Sequence, residues 1–86
     1  MESTRQDVYE AIDSERKYQD FQEELNGWKK KRTVGEWIVL INHYTTKLNE
    51  TWTITTGDRE SLEVMRKIAG IAVHCMEENG AIKREI

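Results

Sequence analysis

Not one proline interrupts this 86-residue chain, and most of its five glycines fall near the ends of stretches with helical periodicity. Proline inside a helix removes a hydrogen bond and clashes with the preceding turn, so its absence lifts the strongest local bar to long helices. The expectation is an all-α fold, a three-helix bundle in one small domain over residues 1–86, with helices over about 4–25, 33–52 and 58–79.

The first helix carries Val8, Ala11, Ile12 and Glu15 on one side, continued by Tyr18, Phe21 and Leu25, and Asn26-Gly27 supplies its stop. Glu15 is out of character there, three residues after Ile12 on the apolar side. Thr33-Val34-Gly35-Glu36 has the spacing of a capping box and opens the second helix, whose expected inner face is Trp37, Ile41, Tyr44, Leu48 and Trp52. The β-branched residues Thr51, Thr53, Ile54, Thr55 and Thr56 predict fraying or a loop before Gly57. Asp58 is the expected N-cap of the third helix, with Glu60 and Glu63 favouring its positive end, and Gly80 the expected left-handed residue beyond it. A charged tail, Ala81 to Ile86, follows.

Leu62, Met65, Ile68, Ala69, Ala72, Cys75 and Met76 form one apolar stripe, widened by Val64, Ile71 and Val73. From Ile68 to Met76 the helix is apolar nearly all round, more than three helices easily cover. A chain this short buries only roughly 60% of the surface its unfolded form exposes. Its single cysteine allows no internal disulfide. A homo-oligomer is therefore predicted, and Ile71→Glu is expected to break it.

The net charge of −3 weighs against long nucleic acid as a partner. Met1-Glu2-Ser3-Thr4 lacks the pattern of a signal peptide, and Trp37 to Ile41 is too short an apolar block to span a bilayer. No membrane partner and a cytoplasmic location are expected, with Cys75 a buried thiol in a reducing compartment. His43 and His74 stand far apart and match no zinc pattern; His74 is expected to be a satisfied interior histidine rather than a ligand. There is no Ser-His-Asp, Cys-His or glycine-rich phosphate loop, so no catalytic residue, metal or other cofactor is predicted.

Three blocks occur in order: Asp13-Ser14-Glu15-Arg16-Lys17-Tyr18-Gln19-Asp20, then Val34-Gly35-Glu36-Trp37-Ile38, then Met65-Arg66-Lys67-Ile68-Ala69-Gly70-Ile71-Ala72-Val73-His74-Cys75-Met76-Glu77. Their order resembles small phage-encoded proteins of the MazG-like, all-α nucleotide pyrophosphohydrolase superfamily, over most of the chain from Asp13 to Gly80. The resemblance implies a helix with a Glu-Glu-x-x-Glu pattern facing one with Glu-x-x-Asp, whose carboxylates hold magnesium on the substrate phosphates. With the Gly-Glu-Trp block in register, the first pattern falls on His43, Tyr44 and Lys47, and the second near Met65 to Ala69. Neither stretch retains an acid, so the chain is similar to a degenerate member of that superfamily.

Positive charge stands in their place. His43 and Lys47 share a helical face, and Arg66 or Lys67 can approach from the third helix to grip a phosphate. Such a set binds an anion without metal and offers no activated water. Glu15, Arg16, Tyr18 and Gln19 add either a patch that reads a base or a polar seam between helices or subunits. Lys29 to Arg32 precede a helix N-terminus, either to meet an anion or as a solvated basic loop, and Trp28 and Trp52 either stack on a base or seal an interface.

The expected function is a non-enzymatic nucleotide-binding phage protein that sequesters a host signalling nucleotide. In concrete form this is an anti-defence sponge for a cyclic nucleotide in the cytoplasm of the infected bacterium. Its ligand-binding residues would be Glu15, Arg16, Tyr18, Gln19, His43, Lys47, Arg66 and Lys67. Two alternatives stand beside it. One is a magnesium-dependent MazG-like nucleoside triphosphate pyrophosphohydrolase drawing its acids from Glu15, Asp20, Glu23 and Glu24. The other is a protein-interaction module whose apolar third helix binds a host factor.

Overall fold

A computed structural model describes residues 2–54 and 58–85, which form α1 (Arg5–Asn26), α2 (Val34–Ile54) and α3 (Arg59–Asn79), with no strand among the described residues. The fold is all-α, a three-helix bundle.

Local chemistry accounts for most of the helix ends. The Asp7 amide donates to the Thr4 hydroxyl (3.0 Å) and the Thr4 amide to the Asp7 carboxylate (3.1 Å), a capping box that opens α1. Its far end closes on Gly27 in the left-handed region (φ 69°), which lets the Gly27 and Trp28 amides fold back onto the Glu24 and Glu23 carbonyls. Thr33 and Glu36 form the expected reciprocal cap of α2.

Three expectations at the ends need correction. Helix α2 runs on through Thr51, Thr53 and Ile54, because the hydroxyls of Thr45, Thr46, Thr51 and Thr53 each donate to the carbonyl four residues back and are accommodated within the helix. The remainder of the expected loop, Thr55 to Gly57, lies outside the described residues. Asp58 precedes α3 in a helical conformation and its side chain makes no capping bond. Gly80 has positive φ but is extended in ψ (127°, 139°), and its amide returns to the Met76 carbonyl at 2.9 Å without a left-handed turn.

Helix α3 is the spine. Helices α1 and α2 each pack against it and, among the described residues, not against one another. At Gly70 α1 comes close to α3: an added Cβ would stand 2.7 Å from the Glu15 Cγ and 2.8 Å from the Gln19 Nε2. This glycine lets α1 sit close enough for its polar side chains to pair with α3 groups.

The buried interior is correspondingly small and polar. Trp37 and Ile71 are the buried apolar side chains among the described residues, at 2% and 5% exposure, beside buried Glu15, Arg16 and His74. The Trp37 ring packs 4.5 Å from the His74 ring and its indole N–H donates to Glu78 at 2.9 Å. His74 is thus the interior histidine expected of it, whereas Cys75 is only half-buried.

The expected inner face holds on α2 for Trp37, Ile41, Tyr44 and Leu48, which are buried or half-buried, but fails for several positions elsewhere. Tyr18, Phe21 and Leu25 of α1, Trp52 of α2, and Leu62, Met65 and Met76 of α3 are exposed. The face of α3 that turns inward carries Gly70, Ile71 and His74, since those positions admit α1 and meet Trp37. No helix of the described residues is long and apolar enough to cross a membrane.

Candidate functional site

Because α1 and α2 each pack on α3 and, among the described residues, not on one another, a groove opens between them. Its wider part, about 750 Å³, is bounded by Ser14, Glu15 and Tyr18 of α1, Lys47 and Thr51 of α2, and Glu60, Glu63, Val64, Arg66 and Lys67 of α3. Its narrower part, about 330 Å³, runs past Gln19, Gln22 and Glu23 to Trp28, Arg32 and Trp37, with Leu40 and Tyr44 on the α2 side and Ile71 and His74 below. Tyr18 and Lys67 border both parts, which makes them the waist of a continuous groove.

The α2 wall follows from a simple spacing. Leu40, Tyr44, Lys47 and Thr51 recur at intervals of four, three and four, so they share one helical face. Sequence reasoning placed Tyr44 on the core face and Lys47 on a ligand face with His43; the groove unites Tyr44 with Lys47. That spacing was the signal that could have found them together.

Charge in the groove is unevenly committed. The Lys67 ammonium lies over the Tyr44 ring, 4.7 Å from its centroid, a cation–π contact. Lys47 makes no ion pair among the described residues. Arg66 donates to Glu15 at 3.0 Å, and Gln19 donates from its amide to both Glu15 (3.3 Å) and the Lys67 carbonyl (3.4 Å). Gln19 therefore braces the floor of the groove as well as lining it.

Of the eight residues singled out from the sequence, Glu15, Tyr18, Gln19, Lys47, Arg66 and Lys67 line this groove. Arg16 and His43 line neither part. Arg16 is buried in the α1–α3 seam, donating to Glu77 (2.6 Å), Asp20 (2.9 Å) and Gln19 (3.2 Å). Burial opposes its charge, but the bonds to Glu77 and Asp20 outweigh that and raise its pKa. This is the polar-seam alternative for Arg16, whose donors are spent on carboxylates. His43 is exposed, with its ring edge-on to Tyr44 at 4.9 Å.

The basic stretch also divides. Arg32 stacks over Trp37 at 5.0 Å, pairs with Glu23 at 3.3 Å and gives its amide to Glu78, whereas Lys29, Lys30 and Lys31 are exposed. Trp28 stands exposed at the narrow end of the groove. The groove thus presents aromatic faces, amide and hydroxyl groups, the ammonium groups of Lys47 and Lys67 and the guanidinium groups of Arg32 and Arg66, together with the carboxylates of Glu15, Glu23, Glu60 and Glu63, around a space large enough for a small organic molecule. Compared with protein-family models, curated proteins and solved structures, the chain matches none.

Proposed function

We propose that this chain binds a nucleotide without cleaving it. The carrying observation is the groove itself: Tyr18 and Lys67 border both its parts, Lys47 the wider and Tyr44, beneath the Lys67 ammonium, the narrower. Aromatic faces suit bases, each stack contributing about 1–3 kcal/mol, and ammonium groups suit phosphates. The resemblance to phage-encoded MazG-like proteins, with acids missing from both metal-binding patterns, gives the proposal its setting. There the protein is a sponge that removes a host's cyclic signalling nucleotide in the cytoplasm of an infected bacterium.

The same proposal includes a homo-oligomer. Val34, Ile38 and Trp52 on α2 and Leu62, Met65 and Met76 on α3 are exposed at heptad-like spacing, more apolar surface than a lone small domain ordinarily leaves to water.

A magnesium-dependent pyrophosphohydrolase drawing its acids from Glu15, Asp20, Glu23 and Glu24 is the second reading, favoured by the convergence of Asp20 and Glu23 beside His74. Against it, Glu15 is engaged by Arg66 and Gln19, Asp20 by Arg16 and Glu23 by Arg32. Glu15 and Glu24 do not belong to that converging group of described residues.

The deciding experiment is capture. The protein is incubated with linear and cyclic nucleotides, with and without magnesium, washed and heat-denatured, and the released molecule identified by mass. Intact nucleotide recovered without magnesium is the expected result. Cleaved product that needs magnesium would establish the hydrolase instead, and an empty protein would reject both.

A further inference from the structure

We propose that Asp20, Glu23 and His74 form a binding site for a divalent transition metal of the zinc class, clamping α1 to α3. Among the described residues this is the group whose ligand atoms converge, all lying within 4.8 Å of one another. Asp20 and Glu23 are three apart on α1 and so share a face; His74 projects from α3. It is a mixed nitrogen and oxygen set, which suits zinc and its neighbours better than magnesium or calcium.

The independent observation is the state of His74. The residue is only 6% exposed, yet among the described residues neither ring nitrogen makes a hydrogen bond. Its Nδ1 lies 3.6 Å from a Glu23 oxygen and its Nε2 lies 3.5 Å from a Glu78 oxygen. A proton on each ring nitrogen would satisfy both carboxylates, and so would a metal ion on one of them; only the metal also draws on the Asp20 carboxylate, which converges there with Glu23 and His74. Ligands about 2.0–2.2 Å from a tetrahedral metal stand roughly 3.3–3.6 Å apart, the separation seen between Nδ1 and Glu23.

The surroundings complete the pattern. Metal-binding histidines commonly give their second N–H to a carboxylate that fixes the ring. Here Glu78 faces Nε2, and is itself held by the Trp37 indole N–H at 2.9 Å and the Arg32 amide at 3.0 Å. Charge points the same way. The cleft carries Asp20, Glu23, Glu24, Glu77 and Glu78 against Arg16, Lys29 and the adjoining Arg32, an excess of two negative charges for a divalent ion to neutralise. The site opens into a cleft of about 310 Å³, with room for solvent in the remaining coordination position.

Such a metal would act as a staple. Among the described residues Trp37 and Ile71 are the buried apolar side chains and α1 is held on α3 by polar pairs such as Arg16–Glu77 and Arg66–Glu15, so a metal there would add to folding stability, since the unfolded chain lacks the site. Glu23 and His74 also border the narrow end of the groove, so the staple would steady one end of it.

The test uses the full chain stripped with a chelator and titrated with zinc, with magnesium in parallel and with cobalt(II) as a spectroscopic probe. Zinc, but not magnesium, is expected to raise the melting temperature, and cobalt to give the visible bands of a low-coordinate site. Asp20→Asn, at an exposed position that keeps an oxygen for Arg16, should weaken zinc binding by about tenfold or more, and His74→Gln should do the same. Glu24→Gln, one residue outside the set, should leave it unchanged. An unaltered melting temperature with zinc, or equal zinc affinity in Asp20→Asn and the parent, would overturn the site. So would an equal loss in Glu24→Gln, which would mean diffuse attraction to acids.

Discussion

Arg66 and Glu15 join across the α1–α3 seam at 3.0 Å, and the two halves of the pair are unequally covered: the Glu15 side chain is 6% exposed and that of Arg66 44%. The arginine thus keeps a buried carboxylate compensated while bordering the groove.

Removing Arg66 therefore has a structural cost that removing a groove lysine does not. Arg66→Ala is expected to lower unfolding free energy by about 1–3 kcal/mol, the cost of leaving a buried polar group short of a partner, moderated by the pair's partial solvation. Glu15→Gln in the same background should recover much of that loss. Urea unfolding of the single and double variants measures it; equal stability of Arg66→Ala and the parent would show the pair to be inert.

Lys47 and Lys67 are the cleaner probes of binding. Lys47→Ala and Lys67→Ala should each weaken nucleotide affinity by about tenfold or more, as for loss of a charge-assisted contact, and leave helicity unchanged. Tyr18→Ala should weaken it comparably through lost stacking. His43→Ala, outside the groove, should bind like the parent. Calorimetry at two salt concentrations checks all four, and a loss confined to His43→Ala would misplace the site.

The exposed stripes on α2 and α3 predict where assembly fails. Ile38→Glu or Met65→Glu should reduce the sedimenting species to a folded, smaller form. Ile71→Glu is no longer the right probe, because Ile71 is buried against the other helices and a carboxylate there should unfold the protomer. Sedimentation paired with circular dichroism separates the two behaviours, and an unchanged sedimentation profile in both surface variants would rule out those stripes as the interface.

At Gly70 the seam has no room to spare. Gly70→Ala places a methyl group 2.7 Å from the Glu15 Cγ and 2.8 Å from the Gln19 Nε2, and should cost about 1–3 kcal/mol by forcing both side chains aside. Thermal melting gives the value, and a gain in stability, as helix propensity alone would favour, would show the seam to be loose.

Acid should loosen the α2–α3 junction. Burial raises the Glu78 pKa, but bonds from the Arg32 amide and the Trp37 indole outweigh it and hold the carboxyl below 4.5. Bonds from the Thr33 amide and hydroxyl lower Glu36 likewise. A carboxyl with a depressed native pKa stabilises the fold above its unfolded value and loses that contribution as pH falls through the native one. Melting temperature should thus fall as pH drops below about 4.5, and less steeply in Glu78→Gln. Parallel pH profiles in the two proteins would remove Glu78 from the account.

The three helices were legible because their causes are local: no proline, a Thr33–Glu36 cap, and a glycine after Asn26. The groove was legible only in part: Glu15, Tyr18, Gln19, Lys47, Arg66 and Lys67 line it, whereas Gln22, Leu40, Thr51 and Ile71 join it only through the packing of the helices. What misled was the apolar stripe. Tyr18, Phe21 and Leu25 read as core by spacing, yet they lie exposed, while Glu15, Arg16 and His74 lie inside.

Periodicity reports that a helix has an apolar face, and says nothing of what that face meets. Sequence by itself determined the helices, their ends at Asn26 and Thr33, and the oddity of Glu15 on an apolar side. Only the tertiary structure decided that α1 and α2 straddle α3 to leave a groove, that Gly70 draws α1 close, and that Arg66, Glu77 and Asp20 compensate the charges this buries. The reason is physical: capping and propensity act within a few residues. The partner that makes a buried charge tolerable stands 51 residues away for Glu15 and 61 for Arg16, and distance along the chain carries no trace of it.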